Sequence, residues 1–382
     1  LSRPTTEIAS ATLAGEQNPF LRYRERLDVY QEVATGDMTD EQFVDIVSRI
    51  DERVAAVWGH GFLITPLLDG CALAAAADIG SRLSIKVEAN NVGGSHKARH
   101  LMGVMIFDQV RRLRGSRAPE RLAIASCGNA AMGAAVIARA MDRPLDVFVP
   151  TWADQSVVAA LDELGAHVNR CERRPGESGD PCFLRFQEAI GPGTPGAIPA
   201  ASPFGVQSTD TPMTIDGGKT IGFEIAEQAG HVDSLYVQVG GGALATATAF
   251  GVPGARLYPV QAEGCAPLRR AWDRWGPEFD LDAAQEPDQQ FMTPWDDPHS
   301  FATGILDDIT YDWVPLLHRT HQSGGHPIVA PEPLIRRAYE LAHAHTDVDV
   351  CSTGTAGLAG LMTEPVPGDE HVVVLFSGID RS

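Results

Sequence analysis

The sequence predicts an α/β fold of two three-layer domains with mostly parallel, twisted sheets and a cleft between them. Three observations predict it. Short apolar strands alternate with helices between residues 122 and 171, the spacing of parallel βαβ units. The same rhythm returns between residues 218 and 262. A chain of 382 residues is long enough for more than one such unit.

In chain order, residues 17–57 have a charged, helical pattern, with Thr39 and Gln42 spaced as a capping box. Residues 59–68 form a turn-rich entry. Leu83-Ser84-Ile85-Lys86-Val87-Glu88 alternates as a strand, and Asn90-Asn91-Val92-Gly93-Gly94-Ser95-His96-Lys97 follows as a small-residue turn. That turn delivers Lys97 to a helix over 97–114, which is apolar nearly all round through 101–107 and so is expected to be buried. Strands are predicted at 122–125, 145–149 and 167–171, and helices at 130–141 and 156–164, the latter stopped by Gly165. Within 172–207, the Pro- and Gly-rich stretch 191–196 marks a boundary between two halves. The chain is therefore expected to divide into an N-terminal helical segment (1–60), an α/β domain carrying Lys97 (61–205) and a second α/β domain (206–382). The second domain supplies a helix over 218–229, a strand over 234–239, the loop Gly240-Gly241-Gly242-Ala243-Leu244, a helix to 250 and a strand over 257–262. Residues 264–331, rich in Pro, Asp and Trp, read as irregular. Helices over 332–345 and 355–362 and a buried strand over 371–376 close the chain, ending in Ser377-Gly378.

Composition is that of a water-soluble protein, 44% hydrophobic and 21% charged. A formal charge of −20 opposes binding to nucleic acid or to anionic membranes through a broad basic surface. No apolar run reaches membrane-span length and residues 1–30 lack a signal-peptide pattern, so a cytoplasmic location is expected. The six cysteines are scattered without C-x-x-C spacing and read as reduced thiols. His318-x-x-His321 and His343-x-His345 have no carboxylate or cysteine company at metal-site spacing and read as surface histidines.

Two turns carry chemistry. A lysine whose pKa is lowered by desolvation or a neighbouring positive charge is a good nucleophile and forms a Schiff base with an aldehyde. Gly240-Gly241-Gly242 joins a buried strand to an Ala-rich helix, so backbone N–H groups can converge on an anion there. Gly240-x-Gly242-x-x-Ala245 with Glu263 about twenty residues on also fits a dinucleotide fingerprint, which keeps a nicotinamide or flavin oxidoreductase admissible. That reading has no use for the lysine turn, for Ser126-Cys127-Gly128-Asn129 at a helix start, or for Ser377. A pyridoxal 5'-phosphate reading uses all of them: Lys97 for the aldehyde, residues 240–244 for the phosphate, Asn129 for the phenolic oxygen and Ser377 for the ring nitrogen.

The motifs together resemble the fold type II (tryptophan synthase beta-like) pyridoxal-phosphate enzymes, nearest to threonine synthase and the serine/threonine dehydratases. Asn91-Val92-Gly93-Gly94-Ser95-His96-Lys97 is similar to the family's N-x-x-G-S-[FH]-K turn, and Ser126-Cys127-Gly128-Asn129 to its S-[ST]-G-N loop. Residues 217–225 resemble a G-x-x-T-x-x-x-E-I helix entry, Val239 to Leu244 the phosphate loop, and Leu375-Phe376-Ser377-Gly378 the ring-nitrogen strand. Arg22-Tyr23-Arg24 and Ala302-Thr303-Gly304-Ile305 resemble threonine synthase. The resemblance implies a lyase acting on a small hydroxy- or phospho-amino acid by β-elimination or β,γ-elimination/replacement, with a β-replacement synthase of the cysteine or tryptophan type as alternative. It implies a cofactor held in the cleft by Lys97, Asn129, Gly240, Gly241, Gly242, Ala243, Leu244 and Ser377, and a homodimer. Lys97, Ser126 and Cys127 are the implied catalytic residues, with Cys127 where relatives carry Ser or Thr. Asp380 and Arg381 lie near enough in sequence to replace Ser377. Pro267 and Arg269 stand where some relatives place an acidic metal ligand, so no metal is expected.

Overall fold

A computed structural model describes residues 15–36, 38–177, 179–193, 199–211, 213–276 and 291–381. Its strands are β1 (Leu67–Asp69), β2 (Arg82–Val87), β3 (Leu122–Ala125), β4 (Leu145–Pro150), β5 (His167–Cys171), β6 (Ser202–Pro203), β7 (Ser234–Gln238), β8 (Arg256–Ala262), β9 (Ile328–Ala330) and β10 (His371–Phe376). They form a six-stranded sheet in the order β1-β2-β10-β7-β8-β9 and a four-stranded sheet in the order β5-β4-β3-β6. β1 pairs antiparallel with β2, and the other pairings are parallel. The turns after β2, β3, β7 and β10 carry the residues singled out by sequence. They open at the carboxyl ends of parallel strands, where α/β folds bind ligands.

The helices at 17–57, 97–114, 130–141, 156–164, 332–345 and 355–362 form within one or two residues of expectation. Thr39 caps Asp40–Trp58 with Gln42 reaching back to the Thr39 N–H. Three expectations are corrected. First, β1 and β2 belong to the larger sheet, β2 pairing along its whole length with β10, so residues 61–205 do not form one sheet unit. A buried apolar strand does not announce its sheet by pattern, because both faces are covered in either place. Second, residues 172–207 contain the helix Pro181–Ile190, whose Asp180 cap accepts from the Cys182 N–H at 3.0 Å. Residues 194–196 of the expected boundary lie outside the described residues. Third, the stretch read as irregular holds the helices Pro267–Trp275 and Trp313–Gln322 and strand β9. Their prolines stand in the first turn, where the missing N–H costs nothing, so they mark helix starts rather than breaks.

The lysine helix, Lys97–Leu113, is buried along most of its length and packs on Met213–Ala229. The two backbones meet at glycine. A Cβ on Gly217 would stand 2.2 Å from the Arg99 carbonyl oxygen, so a larger residue would push the lysine helix away. Beneath the lysine turn lies a wholly buried ion cluster. Arg99 donates from Nε to Glu88 Oε2 at 2.8 Å and from Nη1 to Glu224 Oε1 at 2.5 Å, and Lys86 Nζ donates to Glu224 Oε2 at 2.5 Å. These side chains are 0% exposed, and two cations balance two anions. The cluster ties β2 to both packed helices.

Candidate active site

The lysine turn is held from both sides. Asn91 donates from Nδ2 to Glu88 Oε2 at 2.7 Å, which leaves its Oδ1 to accept from the Val92 N–H at 2.7 Å. Gly93 and Gly94 have φ of +66° and +72°, in the left-handed region that favours glycine. From the other side, the segment after β10 lies along the turn. The Ser377 carbonyl accepts from the His96 N–H at 3.0 Å and from His96 Nδ1 at 2.9 Å, and Ile379 donates to the Gly94 carbonyl at 2.8 Å. Burial and the charge of Lys97 push the His96 pKa far down, so this imidazole is neutral with its proton on Nδ1.

The chain has three lysines, Lys86, Lys97 and Lys219. Two serve as ion-pair partners: Lys86 to Glu224, and Lys219 to Asp28 at 2.5 Å and Asp216 at 3.2 Å. Lys97 instead lines a cleft of about 690 Å³ together with Ser126, Cys127, Gly128, Asn129, Gly240, Gly241, Gly242, Ala243, Leu244 and Ser377. The structure thus brings every site residue expected from sequence to one cavity. Burial lowers the Lys97 pKa, with Asp307 and Asp312 pulling it back up.

Two helices point their N-termini into this cleft. Asn129–Ala140 starts after Gly128 without a side-chain cap, and Ser126 Oγ holds the turn by accepting from the Gly128 N–H at 3.4 Å. Ala243–Gly251 starts after Gly242, at φ +104°, also without a side-chain cap. The first N–H groups of such helices have no intrahelical partner, and the dipole favours an anion. The glycine loop's carbonyls are drawn the other way: Gly240 O accepts from Thr310 Oγ1 at 3.0 Å and Gly241 O from the Asp312 N–H at 3.0 Å. A Cβ on Gly240 would lie 2.2 Å from Asp307 Oδ2, so the close approach requires glycine. The Asp307 carboxyl thus lies against the glycine loop. Burial raises its pKa, while Lys97 opposes the rise. Burial likewise pushes Asp312 up to about 6, against hydrogen bonding from Ser208.

The end of β10 places Ser377 beside Gln238, the last residue of β7. Gln238 Nε2 donates to the Gly354 carbonyl at 3.1 Å, the Leu375 carbonyl at 3.2 Å and Ser377 Oγ at 2.6 Å. Backbone carbonyls only accept, so they fix which edge of the amide faces them. The two amide hydrogens are shared among these three acceptors, and the shortest contact is to Ser377 Oγ, which receives a hydrogen bond and keeps its own proton for another acceptor. Asp380 also lines the cleft, where its Oδ2 accepts from Tyr339 OH at 2.6 Å. Burial raises the Cys127 thiol, which is therefore a neutral S–H.

Glu263, the acidic residue of the dinucleotide pattern, is exposed and accepts from the Glu332 N–H at 2.8 Å, which leaves it at the start of Glu332–His345 rather than in the cleft. Sequence reasoning missed Gln238, Asp307 and Asp312. Gln238 had a signal, a polar residue ending an apolar buried strand just before the glycine loop. The two aspartates fell in the stretch read as irregular.

These residues fit pyridoxal phosphate: one lysine free of a tight ion pair, a glycine cradle at an uncapped helix N-terminus, and a hydroxyl with a proton to give. Comparison with known proteins agrees. A family model described as "Pyridoxal-phosphate dependent enzyme" matches residues 61–378. The chain is 30% identical over 195 residues to an L-threo-3-hydroxyaspartate ammonia-lyase of Pseudomonas sp, covering 49% of this chain and 54% of that one. It is 26% identical over 227 residues to a phenylserine dehydratase of Ralstonia pickettii, covering 58% and 64%. The match therefore spans under two thirds of the length of either relative. In fold it is similar to a threonine deaminase of T.th., with a TM-score of 0.64, 23% identity, and 89% and 98% of the two chains covered. It is also similar to maize serine racemase, with a TM-score of 0.65, 19% identity, and 88% and 94% covered. Among the described residues no helix is long and apolar enough to cross a membrane.

Proposed function

The chain belongs to the pyridoxal-phosphate-dependent enzyme family, and from that premise we propose that it is an amino-acid lyase of the dehydratase type. Its substrate is a small hydroxy- or phospho-amino acid that loses its β-substituent by elimination. The observation that carries the reading is the convergence of Lys97, the lysine not committed to an ion pair, with two uncapped helix N-termini in one cleft. The names of the ammonia-lyase and dehydratase relatives support the reaction class.

When bound, the cofactor supplies an electron sink that makes the α-proton of an amino acid removable. The N–H groups at the start of Ala243–Gly251 would hold its phosphate, Asn129 its phenolic oxygen and Ser377 its ring nitrogen. Because Gln238 already donates to Ser377 Oγ, the Ser377 proton is directed outward, and a hydroxyl that donates stabilises an unprotonated ring nitrogen. An unprotonated ring is the weaker sink, which favours elimination over transamination. The N–H groups of the turn at residues 126–130 bind the substrate α-carboxylate. Lys97 Nζ, its pKa lowered by burial, takes the α-proton. The Cys127 thiol stays protonated and is a proton source for the departing β-oxygen. For a β-hydroxy substrate the net products are a 2-oxo acid and ammonia. A cytoplasmic homodimer is part of this proposal, with light scattering as its check.

The test is a screen of purified, cofactor-loaded protein against serine, threonine, threo-3-hydroxyaspartate, phenylserine and O-phosphoserine, reading 2-oxo acid and ammonia together. Equimolar release from at least one, abolished in Lys97→Ala, is expected. Consumption of substrate without ammonia, or only with an added nucleophile, would replace the lyase with a β-replacement synthase.

A further inference from the structure

Arg381 does not belong to any motif, yet it touches both arms of the site. Its Nη2 donates to the Gly93 carbonyl in the lysine turn at 2.7 Å, and its Nε donates to Asn129 Oδ1 at the start of Asn129–Ala140 at 3.0 Å. The backbone beneath it is fixed, because Ile379 is bonded to Gly94. The contact is close: a Cβ on Gly94 would meet Arg381 Nη2 at 2.6 Å.

A guanidinium has donors and no acceptor, so the amide edge that faces it must be the oxygen. The other edge, Nδ2, is thereby left against the backbone after β10, where a Cβ on Gly378 would come within 2.8 Å of it. An amide held in this way has its oxygen taken by Arg381 and only its N–H groups left to offer another partner. An amide free to turn would present its own oxygen part of the time, and two oxygens facing each other repel. We propose that Arg381 is a positioning residue: it locks the Asn129 amide so that its NH2 is offered to the phenolic oxygen of the bound cofactor, and it couples that amide to the turn carrying Lys97. The inference rests on assigning Asn129 to that oxygen.

The test compares wild type, Arg381→Ala, Asn129→Ala and the double variant by spectrophotometric pH titration of the bound cofactor and by its dissociation constant. Losing a donor to a charged oxygen shifts a protonation equilibrium by about tenfold. In Arg381→Ala and in Asn129→Ala the midpoint pH of the visible band should each rise by up to about one unit, with cofactor affinity falling several-fold. The double variant should be no worse than Asn129→Ala alone, because Arg381 acts through that amide. A midpoint unchanged in Arg381→Ala, even with a lowered melting temperature, would reduce Arg381 to a tail contact and overturn the proposal. So would an Arg381→Ala shift that persists in full in the Asn129→Ala background. A wild-type protein that takes up no cofactor would instead sink the assignment on which the inference rests.

Discussion

Replacing Glu88 with Gln removes one negative charge from a cluster in which Arg99 and Lys86 are balanced by Glu88 and Glu224, all wholly buried. The Glu88 carboxylate accepts from Thr65 Oγ1 at 2.6 Å, from Asn91 Nδ2 at 2.7 Å and from Arg99 Nε and Nη2 at 2.8 and 2.9 Å. An amide can accept on one edge only, so a donor is orphaned and the cluster keeps an uncompensated positive charge. Breaking a buried pair in this way costs about 3–5 kcal/mol. Neutralising an exposed pair, as in Asp45→Asn beside Arg49, should cost under about 1 kcal/mol. The assay is urea unfolding of the three proteins with matched slopes. Although burial works against it, Arg99 and Lys86 hold the Glu88 pKa below its usual value. Its contribution is therefore present above the unfolded carboxyl pKa, about 4.3, and is lost as pH falls below that. The deficit of Glu88→Gln should be full at neutral pH and shrink below about pH 4. A neutral-pH loss under about 1 kcal/mol, or a deficit that grows in acid, would refute the reasoning.

Gln238→Leu should leave the Ser377 hydroxyl free to turn and weaken cofactor binding by about tenfold, as expected for a lost buried hydrogen bond with stranded partners; an unchanged dissociation constant would count against the assigned network. Asp307→Asn should tighten binding of pyridoxal phosphate and of inorganic phosphate, because the wild-type carboxyl lies against the Gly240 backbone of the cradle and would repel a phosphate there when ionised. Its raised pKa means that acid neutralises it early, so the advantage of the variant over wild type should be largest at high pH and fade as pH falls; calorimetric titration at two pH values checks the sign.

Most of the fold was legible because its signals are local. The capping box at Thr39 and Gln42, the left-handed glycine after 156–164 and the apolar runs ending in Gly240 and Ser377 each follow from short-range chemistry. What failed was non-local. Nothing in Leu83-Ser84-Ile85-Lys86-Val87 says that β2 will join β10, nearly three hundred residues away, rather than β3. The site split along the same line. Lys97, Asn129 and the glycine loop are motif residues, whereas Gln238, Asp307 and Arg381 gain their roles from contacts made only after folding. The helices Pro267–Trp275 and Trp313–Gln322 were hidden because a stretch rich in Pro, Asp and Trp reads as irregular, although Pro267 and Pro315 stand in first helical turns.

The central claim is that Lys97 carries the cofactor, and the chain's small number of lysines makes it directly measurable. Purified protein is incubated with pyridoxal phosphate, reduced with borohydride, digested and mapped by mass. The account predicts a visible band that borohydride abolishes and one pyridoxyl adduct, on Lys97, with Lys86 and Lys219 held in their ion pairs and unmodified. An adduct on either of those two, or no incorporation at saturating cofactor, would contradict it.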